Sequence, residues 1–160
     1  MKNVIKDYCS ILLVIFICPF IFEISFNDFI EIRYLFPSRP IYMAISILLN
    51  YIYLKIVFHC IEPFIRMSTF INIRIGKKGF VKQLFVNVIL NLIFFLVFCI
   101  ASDLVMYLQF NLETILFSII LEIFIGTFMI LTFNKFHNNL VLVSLIIMTL
   151  VKLSYLLMSY

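Results

Sequence analysis

The sequence predicts an all-α, polytopic integral membrane protein with about five transmembrane helices, N terminus inside and C terminus outside. Three observations carry that expectation. The 160 residues are 65% hydrophobic and 12% charged, whereas a soluble domain is nearer half apolar and a quarter charged. The apolar residues gather in runs of the ~17–25 residues that cross a bilayer as a helix. Lys and Arg gather on alternate connections, and short loops rich in them stay on the cytoplasmic side.

The first run, 8–26, follows Lys2 and Lys6 and reads as a retained span entering from the cytoplasm. A secretory signal has an apolar core of ~7–15 residues and a small-residue cleavage site, and Phe26, Asn27 and Asp28 supply no such site. Pro19 is expected to kink this span, because proline removes a backbone hydrogen bond. Residues 27–40 carry Asp28, Glu31, Arg33 and Arg39 with Pro37 and Pro40. They read as the first outer loop, with a short interfacial segment around FIEIRYLF. The remaining spans are expected at 41–61, 84–104, 112–133 and 140–157. An outer turn at 106–111 and an inner turn at 134–139 join the last three.

The connection at 63–83, PFIRMSTFINIRIGKKGFVKQ, holds Arg66, Arg74, Lys77, Lys78 and Lys82 and no acidic residue. Placing this basic loop inside also places Lys2, Lys6 and Lys135 inside and leaves only Arg33 and Arg39 outside. Glu23, Asp28, Glu31, Asp103 and Glu113 then fall at or beyond the outer boundary. The net charge of +4 therefore reports topology, and no nucleic-acid partner is expected. The bilayer is the expected surrounding. The bias towards Ile, Phe, Asn, Lys and Tyr, with no Trp, points to an A+T-rich genome and a bacterial cytoplasmic membrane.

Several function classes fall away. No polar stretch approaches the ~50 residues of a soluble domain. No nucleophile elbow, HExxH, P-loop or pair of catalytic carboxylates is present, so neither enzymatic activity nor a cofactor is expected. Cys9, Cys18, Cys60 and Cys99 lie in or beside apolar runs without a CxxC spacing and read as small buried hydrophobes. His59 beside Cys60 falls short of the four ligands a structural zinc takes. Gly126 is the only glycine in an expected span and no GxxxG occurs, which leaves close helix packing to Ala, Ser and Thr.

Two charges stand where hydrocarbon is expected, each costing ~2.5–3.5 kcal/mol on insertion scales. Glu122 is at the middle of the fourth span and Lys152 two-thirds along the fifth. Counted from the short turn that joins these helices, both lie roughly 17 Å above the inner boundary. They are expected to form an intramembrane polar pair, either as a clamp on helix register or as a proton or substrate relay. Lys55 can snorkel to the interface. Asn87 and Asn91, four apart, share one face of the third span, where Lys55 is a candidate partner for Asn91.

The basic loop suits topogenesis and anionic lipid, yet Phe64, Ile65, Met67, Phe70, Ile71, Ile73 and Ile75 interleave with its polar residues. The stretch FINIRIGKKGFVKQ, set between the second and third spans of a chain with an inner N terminus, resembles the transmembrane subunits of type-2 ABC exporters. It resembles equally their relatives in bacteriocin-immunity and peptide-export operons. The resemblance implies a coupling helix within 70–82 that docks a separate ATP-binding subunit. Phe70 and Phe80 would fill partner pockets, Arg74, Lys77 and Lys78 would meet acidic rims, and Lys82 would belong to the same docking segment. Those permeases have six spans, so five imply a reduced accessory subunit working with other membrane subunits on a peptide or lipid-like substrate. Two alternatives stay open: a stand-alone membrane immunity, binding or assembly protein, and a proton-coupled carrier built on Glu122 and Lys152.

Overall fold

Helix dominates the computed structural model, which describes residues 8–11, 13–15, 17, 21, 24–35, 37, 39–107, 112–136 and 139–158, apart from the side chains at 72, 77, 134 and 135. No strand occurs among the described residues. Among the described residues run α1 (Phe26–Tyr34), α2 (Pro40–Arg66), α3 (Ser68–Tyr107), α4 (Leu112–Phe136) and α5 (Leu140–Met158). Four apolar stretches are long enough to cross a membrane: Pro40–Arg66, Lys78–Tyr107, Leu112–Phe133 and Leu140–Met158. The expected first span is described only in part. Its residues 8–11, 13–15, 17 and 21 are helical, with Ile11 and Ile15 buried and Leu13, Ile17 and Ile21 exposed. The kink expected at Pro19 lies outside the described residues, as do 108–111 and 137–138 of the two later turns.

Which faces are polar identifies the solvent. Ile93, Phe94, Val97, Ile120, Phe124, Leu131, Ile146 and Leu150 point outward, while Arg33, Asp103, Glu122 and Lys152 are each at most 2% exposed. A water-soluble fold hides apolar residues and almost never fully buries unpaired charge. Here apolar side chains fill the core and also cover the outside, while these charges lie inside, as a lipid surrounding favours. The protein is a multi-pass membrane protein.

Helix α2 lies at the centre and packs against all four other helices, while α1 wedges between α2 and α4. Pro40 starts α2 at a position where its missing N–H is not needed. Its 27 residues span roughly 40 Å, more than the ~30 Å of hydrocarbon. Its last turns, with the exposed Glu62–Arg66 ion pair, therefore extend past the boundary expected at 61.

The sequence-level boundaries fail in two places. The connection at 63–83, expected as a loop, is helical except at Met67 and near Gly76, where φ is 73° and ψ 162°. Lys and Arg report which side of the membrane a segment occupies, and they leave its conformation open. Within α3, Gly76 breaks the run in a backbone region that side chains disfavour. The outer loop expected at 27–40 is largely α1, whose Phe29, Ile30, Ile32, Arg33 and Tyr34 are buried. Ser25 starts it: its Oγ accepts the Asp28 N–H at 3.3 Å and donates to Asp28 Oδ2 at 2.8 Å. Asp28 in the first turn and Arg33 in the last complement the helix dipole.

Small side chains permit the close helix contacts. Ser46, Ser102, Ser118 and Ser144 are fully buried, whereas Ala44 and Ala101 face outward. At Gly126, a Cβ would lie 2.5 Å from Val88 Cγ1, so α3 and α4 meet too closely for alanine. Gly126→Ala is expected to destabilise by about 1–3 kcal/mol, the usual range for overpacking. Adding Val88→Ala should recover part of that loss in thermal unfolding in mild detergent. Unchanged stability in the single variant would show that the helices shift freely.

Candidate functional site: a polar layer inside the bundle

Each helix lines the centre with a stripe of one residue per turn, and each stripe carries polar groups. On α2 the stripe is Ser46, Leu49, Asn50 and Tyr53; on α5 it is Leu140, Ser144, Met148 and Lys152. Helix α4 adds Ser118 and Glu122, α3 adds Cys99, Ser102 and Asp103, and α1 adds Arg33 and Tyr34. Helical spacing stacks these groups at matched depths.

At one end both terminal nitrogens of Arg33 are engaged, while its Nε has no partner among the described residues. Its Nη1 donates to Asp103 Oδ1 and, at 2.7 Å, to the Cys99 carbonyl, while Nη2 donates to Ser102 Oγ. The guanidinium also lies 3.8 Å from the Phe29 ring centroid, close enough for a cation–π contact. Tyr34 OH donates to Asp103 Oδ2 at 3.0 Å. Burial holds the Tyr34 hydroxyl well above its ordinary pKa, so it stays a neutral donor. The Asp103 carboxylate thus meets a cation and a hydroxyl in a dry setting, where such hydrogen bonds are strongest.

In the middle, Lys152 Nζ donates to the Arg33 carbonyl at 3.0 Å and to Asn50 Oδ1 at 3.1 Å. Helix α1 ends at Tyr34, so the ammonium sits where the helix carries its partial negative charge. Glu122 Oε1 accepts from Ser118 Oγ at 2.9 Å, and Oε2 has no partner among the described residues. The two charges expected to pair therefore share one layer and attract through it, while their hydrogen bonds run to other groups.

At the far end, Asn91 Oδ1 accepts from Tyr8 OH at 2.6 Å and from Cys60 Sγ at 3.5 Å. Its Nδ2 donates to the Asn87 carbonyl at 2.7 Å. Tyr8 and Cys60 thus hold Asn91, for which Lys55 was a candidate partner.

The expected docking residues lie apart from this layer. On the segment 68–75, Phe70 is 76% and Ile73 79% exposed. Arg74, Lys78 and Lys82 are exposed as well, and the side chain of Lys77 lies outside the described set. Phe80 differs: it is half-buried and packs on the apolar core.

Sequence reasoning found Glu122 and Lys152 because a charge inside an apolar run stands out. It missed Arg33 and Asp103 because each lies at the margin of a run. The available signal was the apolar frame of Arg33, with Phe29, Ile30, Ile32 and Tyr34 around it. Compared with protein-family models, curated proteins and solved structures, the chain matches none.

Proposed function

We propose that this chain is the membrane subunit, permease or accessory, of an ABC-type transporter for a peptide or lipid-like substrate. It docks a separate ATPase through the segment 68–75 and the basic residues that follow. The observation that carries the proposal is the exposure of Phe70 and Ile73 on a short helical piece set off from its span by Gly76. A topogenic segment requires charge and has no need of exposed aromatic anchors. Met67, Phe70, Ile71, Ile73 and Arg74 line an open concavity there, which suits a protein partner.

The same reading places the chain in a bacterial cytoplasmic membrane with five spans, N terminus inside and C terminus outside. The distribution of Lys and Arg supports this orientation. In a cysteine-free background, Asn27→Cys should label from outside with an impermeant maleimide. Thr69→Cys should require a permeant reagent. The opposite pattern would put the docking segment on the wrong side for an ATPase.

Docking is tested by pull-down of the full chain in mild detergent, with identification of any ATPase that co-purifies. Buried aromatic anchors carry ~2 kcal/mol or more of interface energy, so Phe70→Ala should weaken binding roughly thirty-fold with insertion unchanged. Replacing Arg74, Lys78 and Lys82 by Gln should mainly slow association and reduce its salt dependence. Because Phe80 packs on the core, Phe80→Ala should lower stability instead. If the purified protein binds no ATPase, the stand-alone immunity, binding or assembly role takes its place.

A further inference from the structure

Glu122 is the buried ionisable group whose surroundings leave it incomplete. It is 1% exposed and holds one hydrogen bond, from Ser118. Tyr53 faces it from α2, and both the Tyr53 hydroxyl and Glu122 Oε2 lack partners at hydrogen-bonding geometry among the described residues. The charged group that acts on it directly is Lys152 from α5, and Cys99 from α3 lies between it and the Arg33–Asp103 pair, in electrostatic reach of both. Asp103 and Arg33 neutralise one another directly. That leaves Lys152 and Glu122 as the two charges without an ion-paired partner.

We propose that Glu122, with Tyr53 opposite, is a proton-binding site that loads and unloads from the Tyr8–Asn91 end of the bundle. An ionised carboxylate with one donor is costly in a dry interior, and the Lys152 charge offsets part of that cost. Burial thus favours the protonated state and Lys152 the ionised one. On loading, a proton from water adds to a lone pair of Oε2, and the new O–H donates to the Tyr53 oxygen. On unloading, the same proton returns to water and the carboxylate faces Lys152 again. Tyr53 keeps its own hydrogen throughout.

The geometry favours a proton over other ligands. A bound metal cation takes about six oxygen ligands, and among the described residues the partnerless oxygens that face one another here are Oε2 and the Tyr53 oxygen. An anion would meet a carboxylate, with the Lys152 ammonium already engaged by Arg33 and Asn50. The direction of access also follows from placement. Half-buried Tyr8, bonded to Asn91, is the ionisable neighbour of Tyr53 on one side. On the other side Arg33, Tyr34, Ser102 and Asp103 are all buried and hydrogen-bonded to one another, which closes that end to water.

The test is infrared difference spectroscopy against pH on the full chain, reconstituted in vesicles of phosphatidylethanolamine and phosphatidylglycerol with carbon-13 glutamate. Acidification should raise one isotope-shifted carboxylic-acid C=O band, absent in Glu122→Gln and retained in Glu113→Gln. In Tyr53→Phe that band should change frequency, because its hydrogen-bond acceptor is gone. If Glu122→Gln does not fold, the Tyr53→Phe frequency change alone decides. No labelled band over the pH range where the protein stays folded would overturn the site, as would a band indifferent to the Glu122 and Tyr53 changes.

Discussion

Replacing Arg33 with methionine is expected to destabilise the protein by about 3–5 kcal/mol, the range for removing one member of a buried ion pair. The cause is what the change leaves behind. Asp103 is fully buried and would keep only the Tyr34 hydroxyl. The Cys99 carbonyl and Ser102 Oγ would each lose their Arg33 donor. Adding Asp103→Leu removes the stranded charge, so the double variant should be more stable than Arg33→Met alone. Arg33→Lys should rescue only partly, since one ammonium cannot reproduce a guanidinium that serves three acceptors from two nitrogens. Thermal unfolding in mild detergent reads all three. Additive losses in the double variant would mean that the ion pair contributes no coupling of its own.

That cluster also marks how far the sequence could be read. The later spans were legible because hydropathy over about twenty residues is decided by the bilayer, whatever the neighbouring helices do. Burial of α1 was not, because it depends on a partner. Residues 27–40 hold Asp28, Glu31, Arg33 and Arg39, and such a segment is polar until Arg33 finds Asp103, seventy positions along the chain. Lys152 shows the same limit in another form. Its expected depth beside that of Glu122 follows from helix rise alone. Its hydrogen-bond partners do not, because one is a backbone carbonyl of α1, and carbonyl positions are set by tertiary packing. The helix in the segment 63–83 could not be read from its charges, which indicate location and are silent on secondary structure; only the resemblance implied one, within 70–82.

Lys152→Met should be the second most damaging single change, at about 3 kcal/mol, and its rescue pattern is informative. The substitution removes two things at once. The end of α1 loses a charged donor at the Arg33 carbonyl and Asn50 loses its bond, each hydrogen bond to a charged group being worth ~1.5–3 kcal/mol. Glu122 loses the one cation in its layer that no carboxylate neutralises. Glu122→Gln in the same chain abolishes the second loss and leaves the first. The double variant is therefore expected to recover about half of the stability lost. Hydrogen exchange over residues 30–34 should separate the two effects, rising in Lys152→Met and staying raised in the double variant. Complete recovery, with exchange restored, would mean that Lys152 serves Glu122 alone and leaves α1 uncapped. Strict additivity would mean that the two charges do not sense one another across the layer.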